Sequence, residues 1–205
     1  MKINISKENK PSYECMIIAE AALEFALRAE EDWEKKHHYY TGFIFLAFAV
    51  EAMFIFYRKQ VDLSFDKEND RTCRKKLHKE TVSLCGINNF MGLKDYQTVK
   101  NCLEIRDAIA HGDFYESSFI HQSKAHSNDG SLTREVLAIH SAQFRVISED
   151  VLRQGIDATK RIDSYIYENG FKQSERDVEK SMRSHLAPAF GSGRSSWYIS
   201  RDAGN

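Results

Sequence analysis

The sequence predicts a mainly all-α fold, an up-and-down bundle of four to five helices with one small β-hairpin insertion. Its 205 residues, 42% of them hydrophobic and 29% charged, suffice for one well-packed domain of ordinary globular composition. Prolines are confined to Pro11 and Pro188, so no proline interrupts a helix between them. Apolar residues recur at helical spacing through most of that stretch. These observations favour helices over sheets.

The first helix is predicted from Ser12, its N-cap, to about Lys36. Its apolar residues form two adjacent stripes, which predicts contacts with neighbours on more than one side. The stripes are Tyr13, Met16, Ile17, Leu23 and Leu27, and beside them Ile18, Ala22, Phe25, Ala29 and Trp33.

A second helix is predicted from Thr41, its N-cap, to about Gln60. It is apolar on all sides, which predicts the central position in the bundle. Its longest apolar stretch, Phe43 to Tyr57, is shorter than the ~20 residues that cross a bilayer, and Glu51 interrupts it. We therefore expect a buried core helix and no association with a membrane.

Two shorter helices follow a polar loop. One passes through Leu77 and Leu84 and ends near Gly86, and the next runs from about Asp95 to His111, where Gly112 provides a stop. After this helix the spacing of the apolar residues changes from helical to alternating. Alternation over 133–139 and the turn sequence at 128–130 predict a short β-hairpin.

A last long helix is predicted from its N-cap Ser141 to about Glu168, and Gly170 ends it. Residues 1–169 are therefore assigned to the bundle. Residues 170–205 are polar and rich in Gly and Ser near their end, so we expect a partly flexible tail or one that docks on a partner.

Charge and cysteine content narrow the function classes. The formal net charge is −1, from 29 basic and 30 acidic residues, which excludes a globally basic nucleic-acid coat but not a local basic patch. The four cysteines include no CxxC pair, so neither a zinc ribbon nor a thioredoxin-like motif is predicted. We expect buried free thiols and, since the N-terminus lacks a signal-peptide pattern, a cytoplasmic protein.

One segment carries candidate chemistry, the run from Arg106 to Gly112, RDAIAHG. Arg106 interrupts an otherwise apolar helix stripe, and His111 lies where the helix ends. Glu51 is equally isolated on the second helix, and a buried unpaired carboxylate costs several kcal/mol. We therefore expect Glu51 and Arg106 to meet, with Glu51 orienting the guanidinium toward a cleft. An inert salt bridge between helices explains the same pattern.

This arrangement resembles the HEPN superfamily of nucleotide-binding and ribonuclease helical bundles. Its members carry an Arg, four to six residues and then a His, often followed by Gly, as in Arg106, His111 and Gly112. A polar residue directly after the Arg, here Asp107, is frequent in the family, although catalytic members often have Asn there. The resemblance extends in helix order from about Ser12 to Glu168.

The resemblance implies metal-independent endoribonuclease activity, as in a toxin or an anti-phage defence effector. His111 would transfer protons, Arg106 would stabilise phosphate charge, and Asp107 would orient His111 or a water molecule. It also implies a homodimer in which two motifs face one cleft, and an antitoxin or nucleotidyltransferase partner. No metal and no cofactor are expected. The alternatives are a non-catalytic nucleotide- or protein-binding module and a purely structural dimerisation bundle.

The candidate RNA-binding residues form a basic run before the fourth helix. They are Arg71, Arg74, Lys75, Lys76 and Lys79, with Tyr115 as a residue that could stack on a base. A solvated basic face explains the run equally well.

Overall fold

The computed structural model describes residues 2–7, 9–111, 147–191 and 195–200, with the backbone alone for the two strands and for His111. The prediction of a mainly helical fold is confirmed over this part of the chain. The helices there are α1 (Pro11–Arg28), α2 (Asp32–Val61), α3 (Arg74–Leu84), α4 (Lys94–His111) and α5 (Glu149–Asn169). The predicted β-hairpin at 128–139 lies outside the described residues.

The boundary between the first two helices differs from the prediction. α1 ends at Arg28, and α2 begins at Asp32 and continues through Thr41. The predicted first helix, from Ser12 to about Lys36, would place the acidic residues between Glu30 and Glu34 inside a helix and away from its N-terminus. The break instead puts Asp32 and Glu34 in the first turn of α2, where the helix dipole favours negative charge.

Thr41 and Ser12 are therefore not N-caps. The Thr41 hydroxyl donates within α2 to the His37 carbonyl at 3.1 Å. α1 begins at Pro11, whose fixed φ suits the first helical position. Both predicted stripes of α1 are also partly wrong. Ile17 and Leu27 of the first stripe and Phe25 of the second are 45–53% exposed, and Trp33, in α2, is 71% exposed.

α2 is the central helix, as predicted, and packs against α1, α3, α4 and α5. Its inward side chains are fully buried: Phe43, Leu46, Val50, Met53, Phe54 and Tyr57. The helix has 30 residues, so the prediction that this segment is too short for a bilayer is wrong on length. Among the described residues it alone is long and apolar enough to cross a membrane. Here it is the core helix of the bundle.

α3 and α4 follow the predicted boundaries closely. α3 ends at Leu84, and Gly86 takes the positive φ of 74° that lets the chain turn away. α5 starts later than expected. The prediction of a helix from Ser141 is wrong, because Ile147 and Ser148 are not helical and Ser148 caps α5 by accepting from the Val151 amide at 3.4 Å.

Residues 171–191, expected in a flexible or partner-bound tail, pack on the bundle itself. Leu186 and Ala189 are buried, and the Ala189 carbonyl accepts from the Ser12 hydroxyl at 2.8 Å. Asp163 of α5 accepts from the Ala189 amide at 2.8 Å. Beyond this segment β2 (Ser195–Ser200) pairs antiparallel with β1 (Lys2–Lys7), so the two ends of the chain lie side by side.

Candidate functional site

Glu51 and Arg106 are in contact, as the sequence predicts. One Nη of Arg106 donates to Oε1 of Glu51. Glu51 lies two-thirds of the way along the central helix α2, and Arg106 lies in the last two turns of α4, which packs against it. The ring of Phe48, one turn before Glu51, lies 5.7 Å from the Arg106 guanidinium carbon and adds a cation–π contact.

Arg74, the first residue of α3, brings a second guanidinium to the same place. Its Nε donates to Oε1 of Glu51 at 3.1 Å. Its two terminal nitrogens donate to the two carboxylate oxygens of Asp107 at 2.7 and 2.8 Å, the bidentate geometry in which arginine binds carboxylates most strongly. These partners, Asp107 first, raise the pKa of Arg74 despite partial burial.

Asp107 closes the arrangement, because its Oδ1 lies 3.1 Å from an Nη of Arg106. Each carboxylate therefore contacts both guanidinium groups, and we call these four residues, Glu51, Arg74, Arg106 and Asp107, the charge tetrad. Two positive and two negative charges give it a net charge of zero. The side chain of Arg106 is the least exposed, at 16%, against 30–32% for the other three.

Arg106 is not fully satisfied. Its Nε is buried and has no hydrogen-bond partner in the described part of the chain. A buried donor without a partner costs about 1–3 kcal/mol, which the ion pairs of the same guanidinium offset. The arginine of the motif is thus held in place by carboxylates on two of its nitrogens.

The predicted RNA-binding residues fall into two groups, one bound to carboxylates and the other exposed. Arg74 is not a free cation in this structure, because three of its nitrogens are bound to carboxylates, and its contact with RNA stays a prediction. Lys76 lies 3.7 Å from Glu80 in an exposed pair. Arg71, Lys75 and Lys79 are exposed. Tyr115 and the side chain of His111 lie outside the described residues, so their positions relative to the charge tetrad stay predictions.

A groove of about 600 Å³ lies between the start of α3 and the exposed side of α4. Arg74 and Asp107 are among its lining residues, whereas Glu51 and Arg106 are not. The rest of the lining combines apolar, polar and charged side chains: Cys73, Lys75, Met91, Tyr96, Gln97, Lys100, Leu103 and Glu104. A groove of this size accommodates a ligand as large as a nucleotide.

His78 is a buried polar residue that the sequence prediction missed. It is 1% exposed, its ring stacks on Phe54 at 3.8 Å, and its Nδ1 lies 3.1 Å from the Tyr96 hydroxyl. Burial, reinforced by the charge of Arg74, lowers the pKa of His78 to about 3, so the ring is neutral at physiological pH. A single histidine within a basic run gives no sequence signal for burial.

The four cysteines are free thiols, as predicted, but only two are buried. Burial raises the pKa of Cys85 and of Cys102 to about 12, so both are unreactive thiols. Cys15 is half-buried and Cys73 is exposed at the groove. Within the described residues, no cluster of His, Cys, Asp and Glu side chains is arranged to hold a metal ion.

Comparison with known proteins gives no match for this chain among protein-family models, curated proteins or solved structures.

Proposed function

We propose that the chain is a metal-independent endoribonuclease of the HEPN type, acting as a toxin or as an anti-phage defence effector. The observation that supports this best is the fixed position of Arg106: Glu51 and Asp107 hold its guanidinium near the end of α4, the helix that His111 terminates. A pre-organised cation and an imidazole at one helix end are the groups that RNA cleavage by internal attack requires.

In the proposed reaction the RNA supplies its own nucleophile. His111 takes the proton of a 2′-hydroxyl, the 2′-oxygen forms a bond to the adjacent phosphorus, and the bond from phosphorus to the 5′-oxygen breaks. Arg106 stabilises the negative charge that develops on the phosphoryl oxygens. The 5′-oxygen leaves with the proton that His111 took from the 2′-hydroxyl, giving a 2′,3′-cyclic phosphate, a 5′-hydroxyl and a neutral His111.

The experiment is incubation of RNA with the purified chain in EDTA, comparing wild type with His111→Ala. His185→Ala is the matched control, because His185 is an exposed histidine far along the chain whose only described ring contact is with Tyr167, at 6.2 Å. We expect cleavage by wild type and His185→Ala and none by His111→Ala. RNA that stays intact with all three proteins would refute the nuclease.

The second candidate is a non-catalytic nucleotide- or protein-binding module. The observation that favours it is the neutrality of the charge tetrad, because two carboxylates already occupy nitrogens of Arg106 that a phosphate would use. Such a module would retain RNA or nucleotide binding without cleavage. The same incubation, combined with a binding measurement on wild type, distinguishes the two functions.

The proposal includes a cytoplasmic homodimer whose interface involves the end of α4, and an antitoxin or nucleotidyltransferase as a second partner. Free thiols, one of them exposed, suit a reducing compartment. Sedimentation equilibrium at micromolar concentration tests the dimer, and a monomer under those conditions would contradict it.

A further inference from the structure

The ion pair between Arg74 and Asp107 resembles an anion-binding site that already holds an anion. Two guanidinium groups converge on one monoanion: Arg74 donates to both carboxylate oxygens, and Arg106 lies 3.1 Å from one of them. A phosphodiester is also a monoanion with two free oxygens, and it accepts the same bidentate contact from arginine. The Asp107 carboxylate is therefore a close chemical substitute for an RNA phosphate.

The groove gives access to this contact from one direction. Arg74 and Asp107 line it, and Glu51 and Arg106 do not. A ligand in the groove is therefore in direct reach of the contact between Arg74 and Asp107. The Asp107 side chain is 32% exposed, so its carboxylate can turn into water without crossing the core. Glu51 has the same side-chain exposure, 32%, but it does not line the groove, so a ligand in the groove does not compete with it directly.

Charge balance supports the exchange. With Asp107 in place the charge tetrad has no net charge, and replacing one monoanionic carboxylate by one monoanionic phosphodiester leaves that sum unchanged. No buried charge is left without a counter-charge, which is the outcome that would be costly. We propose that Arg74 and Arg106 form a phosphodiester-binding clamp that Asp107 occupies in this structure and that an RNA phosphate entering from the groove displaces. This rests on the proposed function only in taking RNA as the source of the phosphate.

The test removes the negative charge of Asp107, which competes with a phosphate for the clamp, and measures RNA binding separately from RNA cleavage. The probe is a fluorescent 2′-O-methyl oligoribonucleotide, which lacks the free 2′-hydroxyl and cannot be cleaved by internal attack. Asp107→Asn keeps the side-chain shape and removes the competing charge. We expect it to bind about tenfold more tightly than wild type at low salt, the factor that one charge-assisted contact supplies.

Asp95→Asn is the matched control. Asp95 lies on the same helix, has a similar side-chain exposure of 33%, and pairs with an arginine, Arg161, at 2.8 Å. The substitution makes the same change in net charge, but roughly 18 Å from Asp107 along α4, beyond the Debye length of ~10 Å at 0.1 M salt. We expect binding by Asp95→Asn to match wild type. Adding Arg74→Gln to Asp107→Asn should remove the gain, because the clamp then lacks one guanidinium.

Equal binding by Asp107→Asn and Asp95→Asn, or weaker binding by Asp107→Asn, would overturn the clamp. If Asp107→Asn does not fold, Asp107→Ser is measured in its place. A second readout uses inorganic sulfate, which should raise the melting temperature of the Asp107 variant more than that of Asp95→Asn. The two proposals fail separately: tight binding without cleavage of unmodified RNA refutes the nuclease alone, and His111-dependent cleavage with no effect of Asp107→Asn on binding refutes the clamp alone.

Discussion

Asp163 holds the segment around Ala189 on the bundle, and its removal is expected to cost about 3 kcal/mol of unfolding free energy. Its carboxylate, 6% exposed, accepts from the Tyr57 hydroxyl at 2.6 Å, the Ala189 amide at 2.8 Å and the Phe190 amide at 3.3 Å. In Asp163→Ala, Tyr57 keeps a weaker acceptor, the Asp163 carbonyl at 3.1 Å. The two amides lose theirs, at about 1–3 kcal/mol for each buried group.

Urea unfolding of Asp163→Ala and Asp157→Ala measures this cost. Asp157 lies on the same helix and is exposed, so its substitution is expected to change stability by no more than about 0.5 kcal/mol. Trypsin provides a second readout, because release of the segment should speed cleavage after Lys180 and Arg183. If Asp163→Ala unfolds within 1 kcal/mol of Asp157→Ala and resists trypsin equally, hydrogen bonding by Asp163 does not hold this segment.

Four further predictions follow from the described contacts. His78, with its pKa lowered to about 3, binds fewer protons when folded than when unfolded below pH 6.5; stability should therefore fall by about 2 kcal/mol from pH 7 to pH 5, and His78→Gln should lose that dependence in urea unfolding. A Cβ at Gly155 would lie 2.5 Å from Cys102 Sγ, so Gly155→Ala should cost about 1–3 kcal/mol, whereas Gly92→Ala, with no atom within 4 Å, should be neutral on thermal unfolding. Arg106→Gln should cost about 1–2 kcal/mol in urea, less than for a deeply buried pair, because Glu51 keeps Arg74 as a partner and is 32% exposed. Replacing Lys75, Lys76 and Lys79 by Gln should weaken RNA binding and flatten its salt dependence by about 0.7 per lost contact; an unchanged salt slope in fluorescence anisotropy would show that these lysines contact no phosphate.

The sequence predicted the central helices well because their signals are local. α2 is apolar on all sides and ends at Val61, α3 ends beside Gly86, and α4 ends at His111, so all three C-terminal boundaries lie within a few residues of the expected ones. The break between α1 and α2 was not predicted, because it contains neither Gly nor Pro. Its position depends instead on where along a helix a cluster of acidic side chains destabilises that helix least. The docked segment around Ala189 was missed for a related reason: its hydrogen bonds reach Asp163 and Ser12, residues remote in sequence.

Within the candidate site, the pair of Glu51 and Arg106 was predictable because each is a single charge on an apolar helix surface. Arg74 was not, because it stands among other basic residues and nothing in the run distinguishes it from its exposed neighbours. Its position is set by the packing of α3 against α2, which places it within reach of carboxylates 23 and 33 residues away. A buried ion pair can be inferred from isolation in sequence, but the third and fourth members of a network require the tertiary structure.

The composition of the charge tetrad determines where attraction for RNA has to arise. A neutral cluster exerts little long-range field, so it cannot draw a polyanion toward the end of α4 by itself. The exposed lysines of α3 and the groove, Lys75 and Lys100, lie closer to solvent and supply positive charge along the route to Arg74, although Glu104 pairs with Lys100 at 3.1 Å. Encounter and phosphate recognition would then be separate tasks, carried by different residues. Substitution of the lysines should act on affinity at low salt, whereas substitution in the tetrad should act on the contacts that persist when salt screens the lysines.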